Sequence, residues 1–282
     1  MAAPIVKDFS GAERRLQQMR DENIRQSKEV VDLWRRFISS HIGRLGADKW
    51  LVLEQAFIAS LDVGDIAVTT DVYDLLHAQF SGSNRLLRLR GMYLEARGKF
   101  DEAEEIYASI LADDPVDSAT QKRMASLRKS QGKISEAVQT LNKYLEINCM
   151  DFEAWLELCD LYLSQCDYEK AAFCTEELIL NNPNNHLYHQ RYAEIKYSQG
   201  DFEQARTYFT QAYKLSQSNM RALYGTILCS QKLAAGKSKG KSEHFSIAKK
   251  SLALIDKQMA TSDVPTQKIH DAAMESLISG IL

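Results

Sequence analysis

Histidine and cysteine are the residues of this 282-residue chain that could bind a metal or act as nucleophiles. His186 and His189 are three residues apart, so a helix would place both imidazoles on one face, within reach of one metal ion. Cys159 and Cys166 are seven apart and would share a helix face too, but no two of the five cysteines have CxxC spacing. We interpret the histidines as a polar helix edge and the cysteines as buried, reduced thiols of a reducing compartment.

The motifs of the common catalytic sites are absent from the sequence. It contains no GxSxG nucleophile elbow, no phosphate-binding glycine loop and no HExxH zinc motif. The other four histidines are scattered along the chain, at His41, His77, His244 and His270. The sequence therefore predicts a protein that is not an enzyme and that has no metal site and no cofactor.

The composition restricts the fold and the partners. Only 13 glycines and 4 prolines are available for turns, which favours long helices joined by short loops over a β-sandwich or barrel. The 35 basic and 38 acidic side chains nearly balance, so the net charge of −3 predicts no nucleic-acid partner. No stretch approaches the ~18 apolar residues of a membrane span, and the first residues lack the apolar core of a signal peptide. We expect no transmembrane segment of its own and a place in the cytosol or nucleus unless a partner holds the chain elsewhere.

The elements that must position these side chains follow from a repeat of 34 residues. Small residues recur at this interval in two series, and large apolar residues recur in a third. The series are Ala103, Ala137, Ala171 and Ala205; Gly98, Gly132 and Gly200, with Cys166 in the missing place; and Phe100, Ile134, Tyr168 and Phe202. Glycine suits the turn after a first helix, and alanine lets the second helix pack closely. The pattern predicts stacked helical hairpins.

This pattern resembles the tetratricopeptide-repeat family. In the clearest copy, over residues 152–184, Cys159 stands where glycine is usual. The residues that match the family's pattern are Trp155, Leu158, Tyr162, Ala171 and Pro183. The resemblance implies an all-α fold class, a tetratricopeptide-repeat superhelical solenoid with N- and C-terminal capping helices.

The same periodicity divides the chain into five expected segments. They are N-terminal capping helices over 1–47, a degenerate helical hairpin over 48–83, four in-phase tetratricopeptide repeats over 84–219, a repeat with a Gly/Lys loop insertion over 220–260 and a C-terminal capping helix over 261–282. Ser10 and Glu13 have capping-box spacing at the first helix, and Asp48 could cap the first helix of the degenerate hairpin.

The insertion is the segment that departs from the repeat. The loop over 236–242 carries three lysines, Lys237, Lys239 and Lys241. Lipid-binding clusters usually hold about 4–8 basic residues, so we interpret these three as a solvated loop, with contact to anionic lipid headgroups as the alternative.

The first helix of each tetratricopeptide hairpin lines the concave face of the family's fold, which gives a candidate partner-binding groove. The side chains predicted to face it are Arg85, Arg88, Lys122, Arg123, Lys129, Glu153, Glu157, Asp160, Arg191, Glu194 and Tyr197. Residues 134–183 hold 2 basic and 10 acidic side chains, so the groove is expected to be basic at one end and acidic towards the middle. A segment of complementary charge order would bind in one direction; the alternative is that these are ordinary solvated faces.

A closer resemblance covers most of the chain from about residue 50 to 225. The run DYEKAAFCTEELILNNPNNHLYHQRYAEIKYSQG over 167–200 is similar to the family of subunit 2 of the endoplasmic reticulum membrane protein complex. Its pieces AAFC, NNHLY and YAEIKYSQG are not required by the general repeat. The runs NMRALYG at 219–225 and SNRLLRLRGMYLEARGKFDEAEEIY at 83–107 resemble the same family.

This resemblance implies a non-catalytic scaffold subunit at the cytoplasmic face of the endoplasmic reticulum membrane. Its partners would be the cytosolic segments of membrane-spanning subunits and another soluble subunit. The complex would support insertion of transmembrane segments of tail-anchored and multipass clients. The alternative is a free cytosolic peptide-binding adaptor or co-chaperone. A clamp for a chaperone's C-terminal carboxylate is disfavoured, because neither repeat register supplies its asparagines and Glu153 and Glu157 would repel a carboxylate.

Overall fold

The computed structural model describes residues 6–235 and 241–260, and every regular element in these ranges is a helix. The chain divides into two compact units, Met1–Lys133 and Ile134–Leu282, which we call the first and the second unit. The predicted C-terminal capping helix over 261–282 lies outside the described residues, as do Lys237 and Lys239 of the lysine loop.

The first unit is built from hairpins of antiparallel helices. Its helices are α1 (Phe9–Asp21), α2 (Ser27–Leu33), α3 (Lys49–Val63), α4 (Ile66–Phe80), α5 (Asn84–Ala96), α6 (Phe100–Asp113) and α7 (Ser118–Ser130). Between α2 and α3 the chain continues through a π-helical stretch, Trp34–Ile38, and a kinked 3₁₀ stretch, Ser39–Asp48.

The N-terminal helices share one core with the degenerate hairpin. Phe9, Ala12, Leu16 and Met19 recur at helical spacing on α1 and are buried together with apolar residues of α2, α3 and α4. The capping prediction is wrong for this helix. Asp8 is the N-cap, and its carboxylate accepts a hydrogen bond from the Gly11 backbone N–H, so the helix begins before Ser10.

The degenerate hairpin α3–α4 turns at Gly64, which has a positive φ of 75° that suits glycine. Asp65 then caps α4 through a hydrogen bond from the Val68 backbone N–H. Asp48 does not cap α3, contrary to the sequence prediction, because its backbone is already helical and its side chain makes no capping hydrogen bond. Inside the hairpin the Ser60 and Thr69 hydroxyls are hydrogen-bonded at 2.7 Å.

The second unit contains α8 (Ile134–Ile147), α9 (Phe152–Ser164), α10 (Tyr168–Asn181), α11 (His186–Ser198), α12 (Phe202–Leu215), α13 (Met220–Ala235) and α14 (Lys241–Ala260). Each helix packs against the next one in the chain. α14 starts at Lys241, inside the loop that the sequence predicts over 236–242. Among the described residues, no helix combines the length and the apolar character needed to cross a bilayer.

The predicted repeat fixes where the helices begin. The first helices of the successive hairpins start at Asn84, Ser118, Phe152, His186 and Met220, each 34 residues after the last. Three of the turns after these first helices use glycine at positive φ: Gly98, Gly132 and Gly200. In the turn between α9 and α10, Cys166 adopts this conformation, with a φ of 57°, and the residue is exposed. The prediction of buried thiols is therefore wrong for Cys166 and for Cys149, which is exposed as well.

Candidate partner-binding surfaces

The predicted groove arginines of the first unit are bound to carboxylates of neighbouring first helices. On α5, Arg85 donates from Nε to Glu54 Oε1 of α3 at 3.0 Å. On α7, Arg123 donates from Nη2 to Glu95 Oε1 of α5 at 2.7 Å. These ion pairs link α3 to α5 and α5 to α7, so the arginine charge is partly neutralised where a partner would meet it.

Arg88 makes a third link of this kind. Its Nη1 lies 2.6 Å from Oδ2 of Asp117, the residue before α7. Burial disfavours the charged form of Asp117, but hydrogen bonds from Thr120 and Arg88 outweigh this effect and lower the pKa of the carboxyl. Asp117 therefore stays ionised and ties the start of α7 to α5.

Glu95 also anchors the interior of the α5–α6 hairpin. It accepts hydrogen bonds from the buried Tyr107 hydroxyl and from Arg123. Burial raises the pKa of Tyr107, and the bond to Glu95 raises it further, so the phenol stays protonated and remains a donor. Arg123 is thus part of a buried network as well as of the predicted groove.

The second unit repeats the pattern of linked first helices. Arg191 of α11 pairs with Asp160 of α9. Arg221 of α13 donates from Nε to Glu194 Oε1 of α11 at 2.7 Å. Both pairs run from an arginine to an acidic residue on the preceding first helix, as Arg85–Glu54 and Arg123–Glu95 do in the first unit.

The remaining predicted groove residues fall on the same helices. Lys122 and Lys129 lie on α7, while Glu153 and Glu157 lie on α9. Tyr197 of α11 is half-buried and packs edge-on against Phe202, with ring centroids 5.1 Å apart. Arg85, Arg88, Lys122, Arg123 and Lys129 belong to the first unit, and the other six belong to the second.

Exposed leucines, which the sequence reasoning did not single out, flank the ion pairs of the second unit. Leu156 lies four residues before Asp160 on α9, and Leu187 lies four before Arg191 on α11, so each shares a helix face with a paired charge. Leu187 is 55% exposed, and Leu228 on α13 is exposed as well. Counted from the first residue of each first helix, Leu187, Leu156 and Leu228 occupy positions 2, 5 and 9. A search of these positions for apolar as well as charged residues would have found them.

Two clefts open on the first unit on either side of the Arg85–Glu54 pair. The larger, of about 410 Å³, has an apolar floor that includes Met19, Ile24 and Ile58. The smaller, of about 190 Å³, is lined by residues that include Trp50, Leu51, Phe80, Leu86 and Leu89. Clefts with apolar walls and a charged pair at the rim suit a bound segment in which an apolar side chain is followed by a polar one.

The histidine pair has structural contacts. His186 Nδ1 accepts a hydrogen bond from Asn219 Nδ2 at 2.9 Å. His189 is buried, not on a polar edge as expected, and its Nε2 donates to the Pro183 carbonyl at 2.7 Å. Within residues 6–235 and 241–260, no group of three or more histidine, cysteine, aspartate or glutamate side chains is placed to hold a metal ion.

Comparison with known proteins identifies the family of this chain. The family described as the EMC2 TPR-like repeat domain matches residues 68–215. "ER membrane protein complex subunit 2-A" of Xenopus laevis is 47% identical over 219 residues, which are 77% of this chain and 74% of that protein. "ER membrane protein complex subunit 2" of Dictyostelium discoideum is 30% identical over 226 residues, 74% of this chain and 70% of that protein.

A solved structure shares the fold. The C-terminal part of a TPR repeat-containing protein from Cytophaga hutchinsonii superposes with a TM-score of 0.59 at 13% identity, covering 96% of this chain and 99% of that chain. The predicted all-α tetratricopeptide-repeat fold class and the resemblance to the subunit 2 family are both confirmed. With its 34-residue hairpins and the matched residues 68–215, this chain belongs to the family of ER membrane protein complex subunit 2.

Proposed function

We propose that this chain is a non-catalytic scaffold subunit of the ER membrane protein complex. It lies at the cytoplasmic face of the endoplasmic reticulum membrane and holds cytosolic segments of membrane-spanning subunits together with another soluble subunit. In this role it supports insertion of transmembrane segments of tail-anchored and multipass clients. The assignment to the complex rests on the relatives named as its subunit 2, which are 46–47% identical.

The observation that carries the scaffold role is the surface of the first helices. Their arginines are linked to carboxylates of the preceding first helix, as in Arg191–Asp160 and Arg221–Glu194. Leu156, Leu187 and Leu228 remain exposed on the same three helices. A surface of paired charges and exposed leucines favours binding of a protein segment, because apolar contact supplies affinity and fixed charges select orientation.

The predicted groove residues keep their place in this proposal. The five groove residues of the first unit contact a segment bound to that unit, and the six of the second unit do the same there. Lys129 and Glu153 are exposed and meet the partner directly. The paired arginines act mainly by holding neighbouring first helices in register, so their charge matters less than the sequence alone suggests. Several such contacts on one chain raise the effective concentration of the partners for each other.

Membrane association and assembly test the proposal. The tagged full-length chain, expressed in cells of its own species, should sediment with endoplasmic reticulum membranes and leave them without the bilayer being dissolved. Purified in mild detergent, it should bring the other subunits of the complex with it, as identified by mass spectrometry. A chain that stays in the soluble fraction as a monomer contradicts the proposal and supports the free adaptor.

Variants identify the surface that acts. Leu156→Ser combined with Leu187→Ser should reduce recovery of the partner subunits and insertion of a tail-anchored reporter. Ile66→Ser, at 57% exposure, is the matched control on α4 and should leave both unchanged. Equal recovery with the leucine variants removes these helices from the binding surface. Because the exposed leucines are left uncovered without partners, we also expect the chain to be less abundant when the membrane-spanning subunits are depleted. Unaltered abundance would contradict obligate assembly.

A further inference from the structure

The second helix of the third repeat, α10, presents an apolar stripe that the first-helix surface does not include. Phe173 and Leu180 are seven residues apart, so they lie on one face about 10 Å apart along the helix. Phe173 is 53% exposed and Leu180 is 74% exposed. The opposite side of α10 is packed into the unit through Ala171, Cys174 and Leu178. Exposed large apolar side chains in line are characteristic of a contact surface.

Phe173 is held in place from behind. Its ring packs edge-on against Trp155 of α9, with ring centroids 6.1 Å apart. Trp155 is itself fixed, because its Nε1 donates to the Cys149 carbonyl at 2.9 Å. An aromatic anchor that is already ordered loses little conformational entropy on binding.

The charges around this stripe are acidic. Glu169 and Glu176 are exposed on α10, one turn before Phe173 and nearly one turn after it. The single basic residue of the helix, Lys170, is engaged elsewhere: its Nζ lies 2.8 Å from Asp167 Oδ2 and 5.4 Å from the centre of the Tyr162 ring. An apolar anchor between two exposed carboxylates complements a partner with apolar and basic residues.

A cleft of about 790 Å³ lies beside the stripe and is large enough to hold basic side chains of a partner. It lies between α10 and the end of α11 and includes Glu169, Phe173 and Glu176 in its lining. Glu176 is oriented by a hydrogen bond of 2.7 Å that its Oε1 accepts from the Tyr192 hydroxyl. The cleft also contains Lys196, whose Nζ lies 5.1 Å from the centre of the Tyr192 ring.

We propose that the α10 face, defined by Glu169, Phe173, Glu176 and Leu180, binds a basic amphipathic helix of a partner protein. The apolar side chains of that helix, at i and i+7, cover Phe173 and Leu180, and its lysines or arginines meet Glu169 and Glu176 in the cleft. The helix packs in the groove between α10 and α11, as a third helix packs against a hairpin. This site is separate from the first-helix surface and does not depend on the proposed function.

Binding of a designed probe tests this proposal. The probe is a fluorescent peptide of about 18 residues with leucines at helical spacing on one face and lysines on the other. The full-length chain should bind it, and Phe173→Ser combined with Leu180→Ser should weaken binding about tenfold. Ile66→Ser on α4, at 57% exposure, is the matched control and should change the dissociation constant less than about twofold. Glu169→Gln with Glu176→Gln should weaken binding at about 50 mM salt and have little effect at about 300 mM.

Several outcomes would overturn it. These are no binding of the lysine peptide, equal binding of an analogue with glutamate in place of lysine, and a loss of affinity with Ile66→Ser as large as that of the α10 variant. An equal loss with Leu187→Ser would place the peptide on the first-helix surface instead. A dimer of the chain that forms without peptide and disappears in the Phe173→Ser, Leu180→Ser variant would identify a second copy as the occupant instead. If the serine variant does not fold, as judged by circular dichroism, hydrogen exchange on the unaltered chain decides. Peptide-dependent protection should then fall on α10 and the end of α11; protection of the Leu187 face contradicts the proposal.

Discussion

Gly91 of α5 lies so close to Tyr107 of α6 that a Cβ atom at position 91 would stand 2.3 Å from the tyrosine Cε1. The tyrosine ring is fully buried and its hydroxyl is hydrogen-bonded to Glu95, so it has no room to move aside. Gly91 is a helical residue, and its value to the hairpin is therefore the space that a side chain would fill.

We expect Gly91→Ala to destabilise the protein by about 1–2 kcal/mol. Overpacking of a filled core costs about 1–3 kcal/mol, and a contact of 2.3 Å belongs in the upper half of that range, about 2–3 kcal/mol. The better helix propensity of alanine returns about 1 kcal/mol. Chemical unfolding monitored by circular dichroism measures the difference. Gly82→Ala is the control, because a Cβ there meets nothing within 4 Å. A stability equal to that of the unaltered chain would mean that the Tyr107 ring can shift.

The two exposed cysteines should be distinguishable from the three buried ones by reactivity. Burial raises the pKa of Cys159, and it raises the pKa of Cys174 and of Cys229 to about 12, so these thiols carry almost no thiolate at neutral pH. Titration of the native chain with a thiol reagent should show a fast phase that corresponds to Cys149 and Cys166 alone. Replacing these two with serine should remove that phase. A fast phase that persists in this variant contradicts the burial of the other thiols.

The repeat was predictable from the sequence because it depends on residues that act locally. A turn needs a left-handed residue, which identified Gly98 and Gly200, and the helix starts followed from the 34-residue interval. The same reasoning did not predict the residue conformation in the turn between α9 and α10. Cys166 occupies a glycine position, and only the structure shows that it adopts the positive φ and is exposed.

The candidate site was predictable only in part, because pairing depends on neighbours that are distant in the sequence. The groove arginines were identified by their repeat positions, but their carboxylate partners were not. Glu54–Arg85 and Asp160–Arg191 are both separated by 31 residues, a regularity that a search for charge pairs at this interval would detect. The exposed Phe173 and Leu180 gave no signal, since an apolar residue on a repeat helix is expected to face the core.

Stability of the first unit should fall on acidification through Asp62. Two hydrogen bonds from Arg25 lower the pKa of this carboxyl against the opposing effect of burial, and the Ser27 hydroxyl lowers it further. An unfolded aspartate has a pKa of about 3.9. The stabilising contribution of the Asp62 carboxylate is therefore complete above that pH and is lost as the pH falls through the lower pKa of the folded state. Asp62→Asn should therefore lower the unfolding temperature at about pH 7, and the difference from the unaltered chain should shrink towards about pH 3.

The control for this effect is Asp71→Asn, at an exposed position of α4. It should leave the unfolding temperature of the chain unchanged at both pH values. A difference between Asp62→Asn and the unaltered chain that stays constant from neutral to acidic pH would show that the carboxylate charge of Asp62 does not contribute.

Two ion pairs with the same 2.7 Å separation should differ in their contribution to stability. Glu95 and Arg123 have side chains only 13% and 34% exposed, whereas Glu194 and Arg221 are 24% and 73% exposed. Glu95→Gln removes the negative charge that pairs with the half-buried Arg123 guanidinium and accepts a hydrogen bond from the Tyr107 hydroxyl. We therefore expect the free energy of unfolding to fall by about 1–3 kcal/mol. Glu194→Gln changes a pair whose arginine is largely in water, so we expect at most about 1 kcal/mol, falling as salt is added.

Chemical unfolding of both variants at low and at high salt measures these differences. The Glu95→Gln loss should depend less on salt than the Glu194→Gln loss, because a partly buried pair is screened less than an exposed one. If the two substitutions lower the free energy of unfolding equally, or if salt removes the Glu95→Gln effect, then the Glu95–Arg123 pair is screened like an exposed ion pair. In that case the link between α5 and α7 would contribute no more to the stability of the first unit than an exposed ion pair does.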